Sequence, residues 1–276
     1  MPWMDRLYRY QADGTGPAPK SALPDHPVAS ASRVRYAIER DGQAHELTGD
    51  IFGVYSAGPT IAGGVEALAL LPPVSPSKIV CVGLNYKDHA AEQRMALPTE
   101  PLIFIKPSSA VVGPGQPIKL PPGVGRVDHE AEVGVVIGKR AHRVKRADAW
   151  RYILGLVCVN DVTARDLQSR ESQYTRCKGF DTFAPIGPCV AAGLDGSPRA
   201  VEGWVNGKRR QSSSTADLIF GIDYLVEFVS FVMTLEPGDI ISTGTPAGIG
   251  SLGDGDSVTV KVEGVGDLTN AVQAET

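Results

Sequence analysis

The amino-acid sequence predicts an α+β fold, mainly β: a mixed, rolled β-sandwich carrying a small β-rich N-terminal unit. Three observations lead there. Short runs of branched apolar residues recur along the chain, among them Ile79–Val82, Leu102–Ile105, Glu132–Ile137, Tyr152–Val159, Ile240–Ser242 and Ser257–Val262. Only two segments have helical spacing, so helices do not alternate with strands as a doubly wound sheet requires. The 276 residues include 31 Gly and 21 Pro, too many for a helical bundle and suited to tight turns between short strands.

Taken in order, residues 11–32 are rich in Gly, Pro, Ala and Ser and poor in bulky apolar side chains, so residues 1–32 are expected to form a flexible extension. Residues 33–72 form the small β-rich domain: VRYAIE, the Asp41-Gly42 turn and Ala44–Leu47 alternate like a hairpin, and a short apolar piece follows at Ile51–Tyr55. The three prolines of LPPVSPSK deny a helix and mark a boundary, leaving residues 73–276 as the main domain. A short helix begins near Lys87. A longer one runs from Gly221 to Met233, where Ile222, Leu225, Val226, Val229 and Val232 recur at three- and four-residue spacing. No internal repeat is visible.

Composition excludes several functions. With 31 acids against 27 Lys and Arg, a formal charge of −4, the chain lacks the basic surface that duplex binding needs, and its one basic cluster, Lys139 to Arg146, reads as a solvated loop. No nucleic-acid partner is expected. No run reaches the roughly 18 apolar residues of a membrane span, and the N-terminus lacks a signal-peptide core, so no membrane partner and a cytoplasmic location are expected. The four cysteines are far apart and form no CxxC, which suggests reduced, structural thiols.

The chemistry concentrates in acids. In VDHEAEVGVVIG, carrying the alternation of Val133, Val135 and Ile137 backward places Asp128, Glu130 and Glu132 on one strand face and His129 on the other. Carboxylates about 7 Å apart cost about 2 kcal/mol per ionised pair at an effective dielectric near 20. A hard divalent cation turns that cost into binding, making Glu130-x-Glu132 half of a metal site; the alternative is a solvated acidic face. Asp161, where the strand YILGLVCVND leaves the sheet, is either a third ligand or the N-cap of a short helix. In GLNYKDHAAE, His89 and Glu92 share a helix face, so the carboxylate can orient the imidazole as a general base, although such pairs also decorate exposed helices.

The ordered blocks KIVCVGLNYKDHAAE, IFIKP, VDHEAEVGVVIG, VNDVTARDLQ, KGFDTFAPIGP, VNG, DLIFGIDYLVEFVS, LEPGDIISTGTPAGIG and GDSVTVKVEGVG resemble the catalytic domain of the fumarylacetoacetate hydrolase family, over about Val74 to Val272. The similarity is to its short bacterial-type members, acylpyruvases and 2-hydroxyhepta-2,4-diene-1,7-dioate isomerases. The resemblance implies a homodimer and a Mg²⁺ or Mn²⁺ centre, with Ca²⁺ able to take its place, held by Glu130, Glu132 and Asp161. It implies His89 and Glu92 as a water-activating dyad, Lys178 as a catalytic cation, and Arg165, Gln168 and Thr245 as substrate contacts. Residues 95–101 are expected to close over substrate as a lid.

The reaction so implied is hydrolytic cleavage of a carbon–carbon bond in a 2-oxo or 1,3-diketo acid, through an enolate that the metal stabilises. Decarboxylation of oxaloacetate-like acids and isomerisation of the dienol diacid are alternatives on the same centre, and an inactive, metal-stabilised binding protein is a further one. The chain departs from the family pattern at Leu84, where many relatives carry Arg, and in the extension before Arg33.

Overall fold

The computed structural model describes residues 4–12 and 33–275. A twelve-stranded sheet forms its centre. Its order runs Tyr55–Thr60, Gln43–Gly49, Arg33–Arg40, Asp5–Ala12, Ala184–Ala192, Ile153–Asn160, Ala131–Ile137, Ile240–Ser242, Lys78–Gly83, Leu102–Pro107, with Ala69–Leu71 and Val111–Val112 attached at the side. A five-stranded sheet, Lys208–Ser214, Ala200–Val205, Ser257–Val262, Gly266–Ala274 and Ile118–Leu120, packs on it, and three short strands, Thr163–Ala164, Val127–His129 and Gly250–Ser251, form a third. Most pairings are antiparallel, but Ile240–Ser242 runs parallel to Lys78–Gly83 and Gly266–Ala274 parallel to Ile118–Leu120. The fold is therefore mixed and mainly β, as the residue pattern predicts.

The central strands are buried on both faces, which explains why they read as continuous apolar runs instead of alternating. Every residue of Ala131–Ile137 is buried. Val133, Val135 and Ile137 face one cluster with Val201, Val260, Val262 and the Ile222–Val232 helix, which contributes Leu225, Val226 and Val229. Val136 joins Ile79, Val157, Val159, Ile186 and Ile240 in a second cluster. Gly134 is what allows this spacing, because a Cβ there would lie 2.5 Å from Val159 Cγ2 and 2.7 Å from Val157 Cγ1.

The expected flexible extension is corrected at its start. Asp5–Ala12 is a strand, paired with Arg33–Arg40 on one side and Ala184–Ala192 on the other, with Leu7, Tyr8 and Tyr10 buried. Three charged residues in DRLYRYQA disguise it: Arg40 forms a two-pronged ion pair with Asp5, and Arg6 reaches Glu39 and the Gly264 carbonyl. Residues 13–32 lie outside the described residues. Through Asp5–Ala12 the strands of residues 33–71 continue the main sheet without a break in hydrogen bonding.

The predicted hairpin closes at Arg40↔Gln43, and the predicted helices span Lys87–Glu92 and Ile222–Val232. The basic stretch 139–146 packs beside the second of these: Arg146 pairs with Asp223, Arg140 with Glu236, and Arg143 lies over the Phe231 ring. No helix among the described residues is long and apolar enough to cross a membrane.

Candidate active site

The site forms where strands of the large sheet end beside the short helices. Glu130 sits at the break between the Val127–His129 and Ala131–Ile137 strands, Glu132 within the latter, and Asp161 one residue beyond Ile153–Asn160. Carboxylate oxygens of the three, one from each residue, lie within 4.8 Å of one another, and all three residues are buried.

Asp128 does not extend this row as strand alternation suggested. The backbone leaves the strand at Glu130, and Asp128 instead accepts two hydrogen bonds from Arg126, at 2.7 and 3.0 Å, and one from Arg165 at 2.9 Å. His129 is turned from the cavity, as the alternation predicts, with Nδ1 3.1 Å from Gln211 Oε1. The N-cap reading of Asp161 is not realised, since the Arg165–Gln168 helix begins at Ala164 without a side-chain cap.

The three carboxylates are not equivalent. Glu130 receives Arg165 and Lys178; Asp161 receives Lys106 and Lys178. Burial alone pushes the Glu130 carboxyl up, but the charges of Arg165 and Lys178 outweigh it and hold the group well below the usual range. Glu132 touches no cation. Its Oε2 accepts from the Ser242 hydroxyl at 2.5 Å and the Gly244 N–H at 2.9 Å, while Oε1 has no hydrogen-bond partner among the described residues. Burial, with the neighbouring Asp161 and Glu130 charges, pushes this carboxyl up to about 8. A buried acid beside two others, with one oxygen unengaged and an all-oxygen donor set around it, fits a hard divalent cation.

His89 is 8% exposed and lies on the Lys87–Glu92 helix, its Nδ1 2.9 Å from Glu92 Oε2. The other Glu92 oxygen accepts the Gly248 N–H at 3.0 Å. Glu92 thus holds the ring with Nδ1–H donated and leaves Nε2 as the basic nitrogen. Asn85 anchors the start of this segment: its amide donates to the Thr243 and Phe220 carbonyls and accepts from the Phe220 N–H. Gly244 adopts φ +98°, and a Cβ there would meet that of Asn85 at 2.8 Å.

One cavity of about 320 Å³ collects these groups. His89, Glu130, Glu132, Asp161, Arg165 and Lys178 supply its charged and titratable wall. Leu84, Met95, Pro98, Leu102, Phe104 and Tyr174 make its apolar side. Gln168 and Thr245 also line it, so eight of the nine residues named from sequence reach the cavity; the ninth, Glu92, stands behind His89. The Thr245 hydroxyl is already engaged, donating to the Ala131 carbonyl and accepting from Gln211. Lys178 lies 4.8 Å from the centroid of the Phe104 ring, and the charges of Asp161 and Glu130 raise its ammonium above its usual range despite burial.

Sequence reasoning assigned no role to Lys106, fully buried and bonded to Asp161 and the Val162 carbonyl. The available signal was a lysine inside the apolar strand LIFIKP, since a buried ammonium needs a paired anion. Asn160 was also missed; its side-chain oxygen accepts the Glu130 N–H at 3.0 Å and fixes the chain where it leaves the strand.

A mixed β fold enclosing three clustered carboxylates, a histidine–glutamate pair and buried lysines defines an enzyme-like fold with a candidate metal centre. The particular family follows from the chain itself: residues 78–273 match the family model described as "Fumarylacetoacetate (FAA) hydrolase C-terminal", and the protein belongs to that family. It is 42% identical over 214 residues to an oxaloacetate tautomerase, Fahd2a, of Rattus norvegicus mitochondria, covering 74% of this chain and 68% of the relative. The crystal structure of 5-carboxymethyl-2-hydroxymuconate delta-isomerase from Mycobacterium smegmatis superposes with TM-score 0.83 at 40% identity, covering 98% of this chain and all of that one. Fumarylacetoacetate hydrolase from Exiguobacterium antarcticum superposes with TM-score 0.82 at 31% identity, over 98% of this chain and all of that one.

Proposed function

We propose that the protein is a divalent-metal-dependent enzyme that moves a proton on a small 2-oxo acid, interconverting keto, enol or dienol forms. The observation carrying this is the single cavity in which a basic imidazole nitrogen, the carboxylate cluster and Lys178 meet. Glu130, Glu132 and Asp161 would hold Mg²⁺ or Mn²⁺, which would supply Lewis-acid stabilisation of the negative charge that develops on the substrate. His89 Nε2 removes the proton next to the carbonyl and returns it at the other end of the conjugated system; Glu92 stabilises the imidazolium meanwhile. Lys178 and Arg165 place positive charge against the substrate carboxylate, and Gln168 offers an amide beside them. Met95, Ala96 and Pro98 supply the face of the cavity that excludes water as the 95–101 segment closes.

Tautomerisation or isomerisation needs no group beyond these, and the tautomerase and isomerase are more similar to this chain than the hydrolase. Hydrolytic cleavage of an acylpyruvate-type substrate is the second reading. It adds one requirement, a water between His89 Nε2 and the distal carbonyl, and the resemblance to the Exiguobacterium enzyme supports it. Decarboxylation uses the same stabilisation with CO₂ leaving in place of a proton.

The test is a Mn²⁺-dependent product screen on oxaloacetate, acylpyruvates and dienol diacids by mass spectrometry and ultraviolet absorbance. Loss of the enol band without change in mass supports tautomerisation, and gain of water followed by two fragments supports hydrolysis. Activity undiminished by EDTA sinks the metal role. We also propose a homodimer, in keeping with exposed apolar side chains such as Phe231 and Val232; a monomer mass in light scattering refutes it.

A further inference from the structure

We infer that Gln211, which lies outside the cavity, is the positioning residue that locks the carboxylate strand to the loop supporting the dyad. The inference rests on the metal-and-dyad reading above. Gln211 belongs to Lys208–Ser214, a strand of the second sheet whose sequence KRRQSSS looks fully solvated. Within it only Gln211 is buried, at 0% exposure. Its inward aim comes from a β-bulge: Gly203 pairs with Gln211 while the next residue, Trp204, pairs with Arg209, so Arg210 is the extra residue that resets the alternation. Gly203 makes the room, because a Cβ there would lie 2.7 Å from Gln211 Oε1 and 3.1 Å from Ala131 Cβ.

The amide then uses its full bonding capacity. Oε1 accepts the Ala131 N–H at 2.9 Å and His129 Nδ1–H at 3.1 Å, which brackets Glu130 between two held residues. Nε2 donates to Thr245 Oγ1 at 2.7 Å and to the Pro246 carbonyl at 2.8 Å. Thr245 Oγ1 returns a hydrogen bond to the Ala131 carbonyl, closing a ring between strand and loop. That loop gives its Gly244 N–H to Glu132 and its Gly248 N–H to Glu92. One buried side chain therefore sets the spacing between two carboxylates of the cluster and the carboxylate that orients His89. The same contacts fix His129 as the Nδ1–H tautomer, leaving its buried Nε2 unpartnered.

The experiment compares wild type with Gln211→Met, which keeps the volume and loses all four bonds, and Gln211→Glu, which keeps the acceptors and loses both donors. Mn²⁺ affinity is read by calorimetry well below the unfolding midpoint, with Tm recorded separately. Orienting contacts behind metal ligands are commonly worth 10–100-fold in affinity, so about that loss is expected in folded Gln211→Met, with a smaller loss in Gln211→Glu. Nitrogen NMR of the metal-free protein is expected to show His129 as one Nδ1–H tautomer in wild type and a mixture in Gln211→Met. If Gln211→Met does not fold, Thr245→Val breaks the same ring from the loop side and is expected to weaken Mn²⁺ in the same range. A lower Tm with unchanged Mn²⁺ affinity and tautomer overturns the inference, leaving Gln211 a purely structural residue. Wild type that binds no Mn²⁺ overturns the metal reading itself, a result separable from the variants' behaviour.

Discussion

Metal binding should be tied to one proton on Glu132. Its carboxyl titrates near 8, because it is buried beside Asp161 and Glu130, while the metal needs the carboxylate. The folded, metal-free protein therefore holds this proton below pH 8, and affinity rises with pH until it levels above that value. For a single group, the apparent Kd grows as one plus the ratio of protonated to ionised form, so it weakens by between one and two orders of magnitude from pH 8 to pH 6. At pH 7 most of one proton is released per metal bound. Titration calorimetry with Mn²⁺ in buffers of different ionisation enthalpy measures both quantities. Glu132→Gln should bind weakly and lose this pH dependence. A wild-type Kd that stays level between pH 6 and 8, with no proton released at pH 7, refutes the assignment. The stability sign is the reverse: the unfolded chain loses this proton near 4.5 and the metal-free fold near 8, so metal-free stability falls as pH rises between them.

Four further outcomes follow from the same contacts. His89→Ala should lower turnover about 10²–10⁴-fold and leave the Mn²⁺ Kd unchanged, separating the base from the metal site by kinetics and calorimetry. Lys178→Met should do the opposite to binding: removing a cation bonded to both Glu130 and Asp161 tightens Mn²⁺ while turnover falls, and weaker metal binding would contradict that competition. Leu84→Arg puts a cation on the cavity wall and should lower the KM of substrates with a second carboxylate relative to those without one. Gly134→Ala forces a methyl against Val159 and Val157, and should cost about 1–3 kcal/mol, read as a lower Tm.

Much of the site was legible because its residues lie in short segments whose local geometry is simple. Glu130 and Glu132 are two apart on extended chain, and His89 and Glu92 are three apart on one helical turn, so backbone periodicity nearly brings each pair together. Asp128 misled the strand argument because alternation holds only while the chain stays extended, and it breaks at Glu130. Lys106 and Gln211 were less legible. Their partners Asp161 and Ala131 are 55 and 80 residues away, and nothing local in KRRQSSS announces a bulge. The Asp5–Ala12 strand was hidden for a related reason, since Asp5 and Arg6 are paired by Arg40 and Glu39, which adjoin them only after the sheet forms.

By itself the sequence determined the fold class, the family pattern and the chemical types in the centre, because strand length, turn chemistry and side-chain identity are local properties. Only the tertiary structure decided which acid stays free of cations. Arg165, Lys106 and Lys178 arrive from separate strands and helices and spend their charge on Glu130 and Asp161, leaving Glu132 with neutral donors alone. Burial then magnifies that difference, since a carboxylate removed from water takes its ionisation state from whichever charges the fold brings beside it.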